Sequence, residues 1–157
     1  MNNNDQALIA ELEKLLRGGS AHVGFEDAIT GLPEELLAEV PQNLPYSIWQ
    51  LVEHIRIAQA DMLDFCRNPE YKALNWPDDY WPKEGAPKDP SAFARSVQAI
   101  QYDLEAFIEL LQRGDLYTPF PHGEGQTLLR EALQIADHTA YHVAEIVVIR
   151  RLLKAWN

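Results

Sequence analysis

From Thr127 to Trp156 the chain runs about thirty residues without a proline or a glycine. Apolar residues recur through this stretch at helical spacing, among them Leu128, Ile135, Ala136, Ile146 and Ile149. An unbroken helix of that length would span roughly 45 Å. Its basic end, Arg150, Arg151 and Lys154, suits the negative pole of the helix dipole.

Three further helical patterns precede it. The first begins near Asp5, a residue suited to an N-cap, with Leu8, Ile9, Leu12, Leu15 and Leu16 on one stripe. Gly18-Gly19-Ser20 interrupts it, and helix is predicted to resume at Ser20 and stop at Gly31, with Val23, Phe25, Ala28 and Ile29 available to pack. Between the prolines of 32–45 there is room for a short helical turn. The second long pattern runs from Ser47, whose hydroxyl can take up free backbone N–H groups, to about Arg67, and Asn68-Pro69 ends it. The third runs from about Ser91 to Arg113, stopped by Gly114. Residues 70–90 form a proline-rich connection whose "WPDDYWP" carries too much aromatic bulk for a flexible linker, so an ordered loop is expected.

No segment alternates like a strand. The expected fold is all-α, a four-helix bundle occupying residues 1–157 as a single domain. Its long loops leave room for connections other than simple up-and-down ones. A formal net charge of −11 argues against nucleic acid and against anionic membranes, both of which need a cationic surface. One cysteine, Cys66, excludes an internal disulfide and fits a reducing cytoplasm. The N-terminal stretch lacks a basic segment followed by an apolar run, so neither a signal peptide nor a membrane span is expected.

The fourth pattern contains "DHTAYH", with His138 and His142 four residues apart. On a helix they project from one face, about 40° apart around the axis and one turn along it. Two imidazoles so placed can reach one metal ion, and a third ligand must come from another helix. Neutral imidazole suits zinc, nickel, copper or ferrous iron. Histidines near a core face could equally be ordinary residues satisfied by a carboxylate such as Glu145. His54, about two turns into the second helix, is the candidate third ligand. His22 is either a fourth ligand or pocket residue, or a hydrogen-bonded residue beside the Gly-Gly break. His122, in a Pro/Gly loop, is expected in solvent. A zincin would need Glu after the first histidine, where Thr139 stands, and no histidine has the Glu three residues before it that di-iron bundles use.

One histidine early in the second helix followed by His-x-x-x-His in the fourth resembles the DinB superfamily, including its YfiT-like and thiol-dependent S-transferase branches. "SIWQLVEHI" (47–55) and "LLREALQIADHTAYHVAEIVVIRRLL" (128–153) carry the resemblance, with "GGSAHVGFEDAI" (18–29) and "WPDDYWP" (76–82) in support. It implies a bundle with up-down-down-up connectivity, often dimeric. It also implies a divalent metal, commonly nickel or zinc, on three histidines, which map to His54, His138 and His142. Relatives often carry Gln three residues after the last histidine. Here Glu145 stands there, on the face of His138 and His142, where a carboxylate could orient a ligand imidazole or coordinate directly.

The function this implies is transfer of a low-molecular-weight thiol, deprotonated at the metal, to an electrophilic partner. "WPDDYWP" would then either wall a pocket for an apolar co-substrate or simply cover the bundle. Competing readings are a metal-dependent hydrolase, a non-catalytic metal-binding stress-response or interaction protein, and a plain bundle whose histidines serve packing.

Overall fold

The computed structural model describes residues 3–19 and 21–156. Among them there is no strand. Five α-helices run in chain order: α1 (Asn3–Leu16), α2 (Phe25–Ile29), α3 (Ile48–Arg67), α4 (Ala92–Arg113) and α5 (Leu128–Leu152), with a 3-10 turn at Glu34–Leu36 between α2 and α3.

The long helices start and stop for local reasons. Ser47 caps α3 in a capping box: its hydroxyl accepts the Gln50 N–H while the Gln50 side chain accepts the Ser47 N–H. Thr127 caps α5 by accepting the Arg130 N–H at 3.2 Å. Gly114 ends α4, where a side chain would collide with Leu128 and with the Leu110 carbonyl. α5 ends at Leu152, short of Trp156. Lys154 there takes a left-handed φ of 57°, which turns the chain back. Arg150, part of the basic end noted above, points inward and donates to the carbonyls of Ala28, Thr30 and Ala155.

The larger correction concerns the first pattern. Helix does not resume across 21–24; only Phe25–Ile29 is helical, and Ser20 lies outside the described residues. Gly18 adopts φ 107°, and a Cβ there would stand 2.9 Å from the Cα of Gly24. The chain folds back on itself at this point, with backbone packed on backbone.

Cross-helix pairs give the topology. Gln59 donates to the Ile100 carbonyl, Glu53 lies beside Ser96, and Arg67 borders the same groove as Arg113, so α3 and α4 run parallel. Arg17 pairs with Glu105, Gln112 with Glu13, and Tyr117 with Asp5, so α1 runs antiparallel to α4. His54 meets His138, while Asp61 lies near Glu131, so α5 runs antiparallel to α3. The connectivity is up-down-down-up. Residues 68–91 form the long crossover that two parallel neighbours require.

Two groups of buried side chains fill the bundle. One joins Ile48, Val52 and Ile55 of α3 to Val143, Ile146 and Ile149 of α5, with Ala28 and Ile29 of α2. The other joins Ile9 and Leu12 of α1 to Leu63, Phe107, Leu111 and Ile135. By chain position, His138 and His142 fall where α5 passes from the second group (ending at Ala136) to the first (beginning at Val143).

Candidate metal centre

The α3–α5 seam brings His54, His138 and His142 together. One nitrogen from each ring lies within 4.8 Å of the others, and ring centroids are 4.5–4.8 Å apart. His54 and His142 are 3% and 6% exposed, and His138 is half-buried.

Each ring is oriented by a partner. His54 Nδ1–H donates to the Tyr80 carbonyl at 2.7 Å. His142 Nδ1–H donates to Glu145 Oε2, also at 2.7 Å. In both neutral rings this leaves Nε2 as the lone-pair nitrogen. His138 Nε2 stands 3.0 Å from His54 Nε2. Two imidazole nitrogens of a tetrahedral zinc site are separated by about 3.3 Å, so this spacing suits a shared cation with little adjustment. Carbonyl and carboxylate acceptors on the outer nitrogens are the usual supports of metal-binding histidines. The donor set therefore fits a divalent metal.

The electrostatics point the same way. Burial pushes His138 and His142 down to about 4; the proximity of His54 adds to this in both, and that of His142 adds to it in His138, where Asp137 opposes it. Burial also lowers His54, opposed by its bond to the Tyr80 carbonyl and by Glu145. In all three rings burial favours the neutral form, the one a metal needs. Burial raises Glu145, and the nearby His54 opposes this.

The loop predicted to be ordered forms one wall of the centre. Trp81 lies flat on His54, with ring centroids 3.9 Å apart and planes 1° from parallel, and Tyr46 stacks on the other face of Trp81 at 4.0 Å. The loop is held in place by Asp61 of α3, which accepts hydroxyls from Tyr80 at 2.6 Å and Tyr71 at 2.9 Å. Tyr80 thus joins two jobs: its hydroxyl anchors the loop and its carbonyl fixes a candidate ligand. Composition flagged the loop, but nothing in a sequence marks a particular backbone carbonyl as an acceptor.

The other histidines lie elsewhere. His22 is exposed, with Nδ1 on its neighbour's carbonyl, Val23, at 2.9 Å. It borders a small cavity with Gln59, Ile100 and Thr139, and it is not in the three-histidine group. Of the readings given for His22, the hydrogen-bonded residue beside the Gly-Gly break is the one seen; the fourth-ligand place is not, because the helix that would have carried it does not form. His122 is exposed as expected, yet its Nε2 donates to the Phe65 carbonyl at 2.9 Å. Cys66 is raised to about 12, chiefly by burial, and is unsuited to act as a nucleophile.

A family model described as the DinB superfamily matches residues 21–146, which spans α2 to most of α5 and includes all three clustered histidines. No curated protein and no solved structure is significantly similar to the chain. Among the described residues no helix is long and apolar enough to cross a membrane.

Proposed function

The chain belongs to the DinB superfamily, and on that premise we propose that His54, His138 and His142 hold a divalent cation, nickel or zinc, and that the centre activates a low-molecular-weight thiol for transfer to an electrophile. The observation that carries this reading is the convergence of three neutral imidazoles, two of them with their outer nitrogens already engaged. Three uncharged ligands leave the ion its full charge and an open position, where it would favour the thiolate form of a bound thiol.

The protein's own groups do the rest. The Tyr80 carbonyl and Glu145 fix the rings of His54 and His142. Trp81 and Tyr46 exclude water from the His54 side. With an epoxide as electrophile, a sulfur–carbon bond forms, a carbon–oxygen bond breaks, and the thiol proton ends on that oxygen. A single cysteine and a reduced thiol as substrate fit a cytoplasmic setting for this activity. Exposed Leu15 and Leu133, in the groove between α1 and α5, offer a face for a homodimer.

One observation favours a second reading, a metal-binding protein without catalysis. The apolar cavity beside Glu145 holds about 240 Å³, small beside typical ligand pockets, and none of the three histidines lines it. Consumption of a small thiol with an epoxide or alkyl halide, by protein loaded with zinc or nickel, decides between the two. Turnover lost in His138→Ala supports the transferase. Stoichiometric metal with no turnover across a range of thiols and electrophiles supports the second reading.

A further inference from the structure

His142 finds the acceptor for its outer N–H on its own helix, one turn along, in Glu145. His54 has no such neighbour. One turn to either side of it on α3 stand Leu51, Ile57 and Ala58, which carry no side-chain acceptor, and Gln50, whose carbonyl oxygen already takes the Ser47 N–H. Its acceptor has to come from outside α3, and it comes from the crossover as the Tyr80 carbonyl. Something must then hold that carbonyl in place.

Asp61 does so from the same face of α3. It lies two turns after His54, roughly 10.5 Å along the helix and within about 20° around it. Tyr80 bridges the two: its carbonyl accepts the His54 Nδ1–H at 2.7 Å, and its hydroxyl donates to Asp61 Oδ2 at 2.6 Å. The turn that delivers Tyr80 is braced within itself. The Asp79 carboxylate accepts the backbone and side-chain N–H groups of Asn75, the Asp79 N–H returns to the Asn75 carbonyl, and the Tyr80 N–H donates to the Pro77 carbonyl. A turn tied in this way moves as a unit, so the hold on the hydroxyl reaches the carbonyl. Tyr71 is a built-in comparison. Its hydroxyl donates to Asp61 Oδ1 at 2.9 Å, but its ring packs on Phe65 and its N–H donates to the Asn68 carbonyl, neither of them a candidate ligand.

We propose that Asp61 is a positioning residue for the metal centre: by docking the Tyr80 hydroxyl it sets the carbonyl that turns His54 Nε2 toward the ion. This role rests on the reading given above, that the three histidines hold a cation. Groups that fix a ligand imidazole by its outer nitrogen tune metal affinity, and Asp61 acts one residue further out.

The test compares the two tyrosines that share Asp61. Zinc affinity is measured by chelator competition in the intact chain and in Tyr80→Phe, Tyr71→Phe, Asp61→Ala and the Asp61→Ala/Tyr80→Phe double variant. Tyr80→Phe and Asp61→Ala should each weaken zinc about 3- to 10-fold, below the range for a group that touches the ligand directly. Tyr71→Phe should stay within about twofold of the parent, although it loses a hydrogen bond to the same carboxylate. The double variant should be no weaker than Asp61→Ala alone, because the two changes break one path. A second reading needs no metal: exchange of the His54 Nδ1–H with water, followed by NMR in zinc-free protein. It should be slow in the parent and in Tyr71→Phe and faster in Tyr80→Phe. Equal zinc losses in the two tyrosine variants would overturn the proposal, since Asp61 would then only hold the loop. Parent-like zinc affinity in Tyr80→Phe, additive losses in the double variant, or unchanged exchange of the His54 proton in Tyr80→Phe would overturn it as well. Failure of the parent to bind zinc overturns the metal reading and this role with it, whereas zinc binding that does not distinguish Tyr80 from Tyr71 overturns this role alone.

Discussion

Glu145 and Tyr80 act on the centre in the same way, each accepting the outer N–H of one histidine. Only Glu145 can be replaced without altering the backbone. Glu145→Leu should weaken zinc about 10- to 100-fold, measured by competition with a chelator. Glu145→Gln keeps an acceptor and should stay close to the parent. Equal losses in both would mean that charge, and not orientation, is what matters. Burial also fixes the sign of a pH effect. His138 and His142 are held near 4 against an ordinary 6.5. Between those values the unfolded chain binds protons that the folded chain refuses, so metal-free protein should lose stability as pH falls from 6.5 toward 4. Urea midpoints at pH 7 and pH 5 should differ more for the parent than for a His138→Gln/His142→Gln variant; parallel shifts would contradict this. At this scale the His138–His142 pair was legible because helical spacing fixes which side chains share a face. Of the two readings of His22, the hydrogen-bonded residue beside the Gly-Gly break is the one seen, because the helix that a fourth ligand would have needed is excluded by the packing of Gly18 against Gly24.

Among the elements, α3 and the loop after it determine the centre together. Their bounds were readable because the signals are chemical: Ser47 caps the start of α3, and Asn68-Pro69 ends it. Ser47→Ala should cost about 1 kcal/mol in chemical denaturation. The loop's order was legible from its aromatic content, but its docking was not, since Asp61 gives no sequence sign that it will take two tyrosine hydroxyls. Trp81 is half-buried, and Trp81→Ala should cost about 2 kcal/mol, less than a fully buried aromatic truncation. The same change removes the stack on His54 and should weaken zinc binding. A loop that serves only as cover would show the stability loss with zinc affinity unchanged.

For the molecule as a whole, parallel α3 and α4 joined by a long crossover place two helices side by side that short loops could not connect. The crossover then comes back over the α3–α5 seam, where the histidines are. The long loops in the sequence allowed this arrangement, and the cross-helix pairs establish it. Phe107 sits fully buried in the second core group, which contains none of the three histidines, so Phe107→Ala should cost about 3–5 kcal/mol while leaving zinc per folded chain unchanged. The account turns on whether the three histidines hold a metal. The most direct measurement is elemental analysis of untagged protein purified without chelator, beside a His54→Ala/His138→Ala/His142→Ala variant. The account predicts close to one zinc or nickel per chain in the parent and almost none in the variant. A metal-free parent that stays metal-free after loading with zinc or nickel would contradict it, and the histidines would then be packing residues of the bundle.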